Sequence, residues 1–238
     1  MIITEQYNYQ DDKTNLIGYL AYDDSHEAKR PAVLIAPEAP GIGEHVKKRA
    51  AMFAKAGFIA LVADIYANGK YFSDMGDMMA QVEKTRGNLQ AWRQRTGAAL
   101  GALKAHPMTD ADRVCAVGYC FGGSGVLELA RSGAALRGTV CFHGELTPSD
   151  HDPRGIGSKI LVLTGAADPF IPLQQRNDFE AEMQAAGAQW EMIVYGSIKH
   201  GFTNPEADLS GMPAMAYDAA VDRRSWQSMM NWLGYVLA

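Results

Sequence analysis

The segment VGYCFGG, residues 117–123, places a cysteine between two glycines directly after an apolar run. A strand that feeds straight into a helix must turn sharply, and glycines at 118 and 122 would keep side chains from colliding around the apex. The apex thiol of Cys120 would then stand above the sheet edge at a helix N-terminus, where the dipole favours the thiolate. That chemistry is nucleophilic attack on a carbonyl; the alternative is a small, buried, inert cysteine. Two further residues complete a constellation. Asp168 follows the apolar run of LVLTGAADPFIP, and His200 follows that of VYGSIKHGF. Taken singly, Asp168 could cap the helix beginning near Pro172, and His200 could be a surface loop residue. Taken in order, each just past its own strand, they predict an acid that orients an imidazole and an imidazole that deprotonates the thiol. Glu38, in LIAPEAPGIGEH, is a carboxylate immediately after a buried strand. It is expected to exchange a proton with the thiol, or to hold Cys120 neutral until substrate enters, or else to be a solvated loop charge.

The elements that must position these groups alternate along the chain. IITEQYNYQ and LIGYLAYDD flank DDKTN and read as an opening hairpin. PAVLIAPEA, FIALVADIY, DRVCAVGYC, RGTVCFHGE, KILVLTGAA and QWEMIVYGS read as strands. Between them lie helices at GEHVKKRAAMFAKAG, within residues 74–105, at GGSGVLELARSG and at PLQQRNDFEAEMQAAG, with a final one from Ala216 to the end. Near-continuous apolar strands alternating with helices predict a mostly parallel sheet of about eight strands, covered on both faces, in one α/β domain spanning 1–238. Such sheets bind ligands at the carboxyl ends of their strands. The strand-end residues are Glu38, Tyr66, Cys120, His143, Asp168 and His200, and Tyr66, Tyr71, Phe72, Tyr119, His143 and Phe202 are expected to line the mouth.

Composition excludes several classes. The net charge is -5 and the longest basic cluster is KKR at 47–49, so no nucleic-acid footprint is expected. An odd count of 3 cysteines argues against a disulfide framework. The N-terminus has no signal-peptide pattern, and no apolar run approaches the ~20 residues of a membrane span. A cytoplasmic protein with reduced thiols is expected. The histidines lack metal-ligand spacing, PGIGEH lacks the ending of a phosphate loop, and no cofactor is implied. Cys115 and Cys141 read as small buried residues. Met75, Met78 and Met79 read as one face of a buried helix, and the last helix, with Trp226, Met229, Met230 and Trp232, should pack on the sheet.

The order nucleophile, acid, histidine is that of the α/β-hydrolases. PEAPG, GYCFGG, GAADPFIP and KHGF together resemble the dienelactone hydrolase family, over nearly the whole chain. The resemblance implies an α/β-hydrolase fold and a carboxylic ester hydrolase acting on a small ester or lactone through an acyl-thioester. It assigns Cys120 as nucleophile, His200 as base, Asp168 as orienting acid and Glu38 as proton partner. The backbone N–H groups of Ala39 and Phe121 would form the oxyanion hole. Two departures bear on the substrate. Asn204 stands where the family has a carboxylate-clamping arginine, and Arg86, Arg93 and Arg95 are the candidates for a second one. Residues 146–158 leave no room for an inserted lid domain. A thioesterase on the same scaffold, or a binding or redox-sensing protein with Cys120 as an oxidisable thiol, are the rival readings.

Overall fold

The computed structural model describes residues 1–25, 27–147 and 155–238. Eight strands form one sheet in the order β1-β2-β4-β3-β5-β6-β7-β8. These are β1 (Ile2–Asp11), β2 (Thr14–Asp23), β3 (Arg30–Ala36), β4 (Ile59–Val62), β5 (Thr109–Tyr119), β6 (Gly138–Phe142), β7 (Lys159–Gly165) and β8 (Trp190–Tyr195). β1 and β2 form an antiparallel hairpin, β2 pairs antiparallel with β4, and every pairing from β4 to β8 is parallel.

The six helices are α1 (Glu44–Lys55), α2 (Met75–Arg86), α3 (Leu89–Ala105), α4 (Phe121–Arg131), α5 (Leu173–Ala186) and α6 (Ala219–Leu237), counted among the described residues. Alternation along the buried strands sends successive side chains to opposite cores. Val33 and Ile35 of β3 join Phe53 of α1 and Trp232 of α6, whereas Ala32 and Leu34 join Trp92 of α3 and Val126 of α4. Met183 of α5 packs with Leu127 of α4 and Ile160 of β7. Both faces of the sheet are thus covered, as the apolar runs predict.

Three expectations need correction. Residues 74–105 hold two helices rather than one, because the chain breaks at Gly87 and Asn88 restarts it, its side chain accepting the Ala91 N–H. Met75 and Met79 are about half exposed rather than buried, since α2 buries Val82 and Thr85 instead. β4 stops at Val62, short of the predicted run, because Asp64 turns the chain. Within the predicted lidless segment 146–158, residues 148–154 lie outside the described residues.

The junction of β5 and α4 is the tightest point of the fold. A Cβ on Gly118 would sit 2.0 Å from the Gly122 carbonyl oxygen, and one on Gly122 would sit 2.1 Å from that of Ala36. Both obstacles are backbone, so neither can yield by a rotamer change. Gly122→Ala should therefore destabilise the protein by about 3 kcal/mol or more, read as a lower urea midpoint at unchanged slope. An unchanged midpoint would show that the β3 loop and the β5–α4 turn can separate enough to admit a methyl group.

Candidate active site

Cys120 occupies the apex of that junction with φ +53° and ψ −120°, a conformation rarely adopted by non-glycine residues. Its N–H donates to the Phe142 carbonyl at 3.0 Å, tying the strained residue to the end of β6. The side chain is half-buried at the N-terminus of α4. Because Gly122 abuts the Ala36 carbonyl, the loop after β3 is pressed against this turn. Among the described residues, the backbone N–H groups of Ala39 and Phe121 have no hydrogen-bond acceptor.

The loop after β4 supports this arrangement. Buried Asp64 accepts the N–H groups of Ile17 (2.9 Å), Tyr66 (3.1 Å) and Gly69 (2.7 Å). It thereby fixes Tyr66, whose hydroxyl donates to the Ala39 carbonyl at 2.7 Å. Phe121 stacks on Trp92 at 4.3 Å between ring centroids.

His200 lies between the other two predicted partners. Nε2 is 3.1 Å from Cys120 Sγ, and Nδ1 is 2.8 Å from Asp168 Oδ2. Asp168 is buried and its other oxygen accepts the Phe170 N–H at 2.9 Å, so the carboxylate is held from both sides. Desolvation of the imidazole opposes its charged form, but the Cys120 sulfur and the Asp168 carboxylate outweigh it and raise its pKa to about 10. The protonated ring donates to both neighbours. Cys115 and Cys141 differ sharply from this: both are fully buried, and desolvation pushes their thiols up to about 12.

Glu38 meets a different set of partners from those expected. Asn204 Nδ2 donates to both of its oxygens at 3.1 Å. The His45 Nδ1 stands 3.2 Å from Oε2, within ion-pair range but off the line of a hydrogen bond. No hydrogen bond joins Glu38 to Cys120 among the described residues. Burial raises the Glu38 pKa, but His45 and Asn204 outweigh it and hold the carboxyl below its ordinary range. Asn204, which takes the place of the family's substrate-clamping arginine and was read as a substrate-binding residue on that ground, is therefore engaged with the protein's own carboxylate.

The aromatic mouth needs the largest revision. Tyr66 and half-buried Phe72 meet edge to face at 5.2 Å beside the Cys120 turn, and Tyr71 is exposed. Tyr119, His143 and Phe202 are all fully buried and present no surface to a ligand. Tyr119 points to the α1 side of the sheet, where it stacks on Phe142 at 4.8 Å. His143 lies against the His200 ring at 5.0 Å with its Nε2 2.9 Å from Thr203 Oγ1, and burial drives its pKa well down. Phe202 packs on His143 and Tyr195.

Two residues of the site, Phe170 beside His200 and His45 beside Glu38, were not anticipated. Phe170, 44% exposed, packs edge to face on His200 at 5.0 Å; its place in the loop after β7, beside Asp168, was the available signal. His45 lies in the first turn of α1, and nothing in the local sequence marks it. Of the candidate arginines, Arg86 alone is near the turn, 5.8 Å over the Phe121 ring and paired with Glu145 at 2.6 Å. Arg93 is paired with Glu128, and Arg95 donates to the Ile65 carbonyl, so both are committed to the scaffold.

Among the described residues no cluster of three or more His, Cys, Asp and Glu could hold a metal ion, and no helix is long and apolar enough to cross a membrane. Residues 16–237 match the model of the family described as "Dienelactone hydrolase family". A crystal structure described as a dienelactone hydrolase-like promiscuous phosphotriesterase from metagenomic libraries is 36% identical, covers 100% of this chain and 99% of its own, and superposes with a TM-score of 0.96. A Bradyrhizobium protein provisionally named a 2-oxo-3-(5-oxofuran-2-ylidene)propanoate lactonase is 28% identical over 87% of this chain and 84% of its own length. An α/β-hydrolase enzyme from a Medee basin deep-sea metagenome library shares the fold at a TM-score of 0.71 and 18% identity, over 98% of each chain.

Proposed function

Because the chain belongs to the dienelactone hydrolase family, and is a hydrolase of the α/β-hydrolase fold, we propose that it hydrolyses small esters or lactones through Cys120, His200 and Asp168. The observation that carries this reading is the pair of contacts on one imidazole, 3.1 Å to sulfur and 2.8 Å to carboxylate. The Cys120 thiolate attacks the carbonyl carbon, and the electron pair moves to the carbonyl oxygen, which the N–H groups of Ala39 and Phe121 receive. The intermediate collapses to an acyl-thioester as the C–O bond breaks, and His200 Nε2–H protonates the departing alkoxide. The neutral imidazole then takes a proton from water, whose oxygen attacks the thioester and frees the acid and the thiol. Asp168 keeps the ring oriented and stabilises its positive form.

The substrate suited to this site is uncharged near its acyl group. Asn204 is turned to Glu38, and Arg86 is already paired with Glu145. Phe72 and Phe170 offer aromatic surface for an apolar or aryl group, with Tyr66 buried behind Phe72. The same chemistry extends to a neutral aryl phosphotriester, a second reading supported by the name of the 36% identical structure. The test is a chromogenic panel of short acyl esters, lactones and one aryl phosphotriester, assayed with the intact protein and Cys120→Ala. Turnover confined to the intact protein supports the reading. Thiol reactivity with no turnover across the panel points to a redox-sensing role instead.

A further inference from the structure

Ala39, read as one of the two oxyanion donors, sits in a tight turn. The Gly41 N–H donates to the Glu38 carbonyl at 2.9 Å, closing a turn whose central residues are Ala39 and Pro40. Proline has no N–H, so Ala39 carries the only donor between the turn's ends. The segment after β4 holds this turn at three successive residues. The Tyr66 hydroxyl donates to the Ala39 carbonyl at 2.7 Å, the Phe72 N–H donates to the Pro40 carbonyl at 2.9 Å, and Tyr71 pairs with Gly41 in an antiparallel bridge. That segment is strained and tied down. Ala67, Asn68 and Gly69 take φ of +71°, +56° and +63° in succession, a left-handed run that persists only where the surroundings over-determine it. Buried Asp64 supplies the restraint by accepting the Ile17, Tyr66 and Gly69 N–H groups. The Tyr9 hydroxyl accepts the Asp64 N–H at 2.9 Å, and the Asn15 carbonyl accepts that of Asn68 at 3.1 Å. The opening hairpin thus bears on Ala39 through Asp64 and Tyr66.

We infer that Tyr66 is a positioning residue for the oxyanion hole: its hydroxyl holds the Ala39 peptide and its ring backs Phe121, keeping the two N–H groups in register. The inference rests on the reading of Ala39 and Phe121 as the oxyanion donors. The Tyr66 ring lies 14° from parallel to that of Phe121 at 6.4 Å between centroids, and Phe121 is pinned from elsewhere by Trp92 at 4.3 Å. One buried side chain therefore touches both residues whose N–H groups must converge. Tyr66 has a single proton to give, and the Ala39 carbonyl takes it, so the hydroxyl acts on the reaction through Ala39 rather than on the substrate. Without that hydroxyl the Ala39 carbonyl loses its side-chain partner, and the peptide that sets the direction of the Ala39 N–H is free to tilt.

The test compares Tyr66→Phe, which deletes only the hydroxyl, with the intact protein in two reactions of the same sulfur. Ester hydrolysis builds an oxyanion, whereas alkylation of Cys120 by iodoacetamide, followed by peptide mass, displaces iodide and builds none. For a short chromogenic ester, kcat should fall about tenfold, below the roughly 100- to 1,000-fold cost of deleting an oxyanion donor outright. KM should stay within about twofold, since the hydroxyl makes no substrate contact, and the alkylation rate should not change. Ala39→Pro, which removes the N–H itself, should lose more of kcat than Tyr66→Phe. Unchanged kcat in Tyr66→Phe beside an impaired Ala39→Pro overturns the inference alone, as does an alkylation rate that falls in step with kcat. Full turnover by folded Ala39→Pro would instead remove the oxyanion reading beneath it, and turnover surviving in Cys120→Ala would sink the functional reading as a whole.

Discussion

Cys120→Ala should abolish turnover across the ester panel, with kcat falling roughly 10⁴-fold or more. The substitution removes the sulfur that forms the acyl bond in the proposed mechanism, while leaving the His200–Asp168 pair standing. Alanine fits the space, and the turn is shaped by backbone contacts at Gly118 and Gly122 rather than by the sulfur. Unfolding midpoints of the variant should therefore stay near those of the intact protein. A residual rate from the two oxyanion N–H groups and from binding is expected to survive, at the level of other triads stripped of a member. The variant should also show a lower His200 pKa in an imidazole titration, because the sulfur is one of the two partners holding the ring protonated. Equal turnover by both proteins would place the chemistry elsewhere.

His200→Ala should lower turnover by a comparable factor and change the thiol itself. Without the ring, Cys120 loses the base 3.1 Å away that takes its proton, so Cys120 alkylation at pH 7 should fall on the order of tenfold. Cys115 and Cys141, buried with thiols pushed up to about 12, should stay unlabelled in either folded protein. The pH dependence has a definite sign. The His200 pKa is raised from its ordinary 6.5 to about 10 on folding. The stability it contributes is thus complete below about pH 6.5 and is lost as the pH climbs through about 10. Acylation, which needs the protonated ring, should fade over the same upper range. An alkylation rate at pH 7 unmoved by His200→Ala would break the link between ring and sulfur.

The cluster of Cys120, Asp168 and His200 was legible because each member is marked locally. Cys120, Asp168 and His200 each follow an apolar run, and a parallel sheet gathers the ends of such runs at one edge whatever the intervening loops do. The glycines around Cys120 announced a turn that the backbone contacts explain. The mouth was less legible, and Tyr119 shows why. Being near a strand end says nothing about which face a side chain takes, and the parity of β5 sends this ring to the α1 side. His143 and Phe202 failed for a related reason: the loops bearing them fold inward beneath His200, filling the space behind the ring.

What the linear order of residues determined by itself was that Cys120, Asp168 and His200 each stand just past a strand, together with the layered scaffold, since periodicity and strand-end placement are local properties. Only the folded chain decided what Glu38 touches. Its partners arrive from α1 and from the loop after β8, and Arg49 bridges both to α6. Contacts between groups so far apart in the chain depend on how helices seat on the sheet, which no short window of sequence encodes.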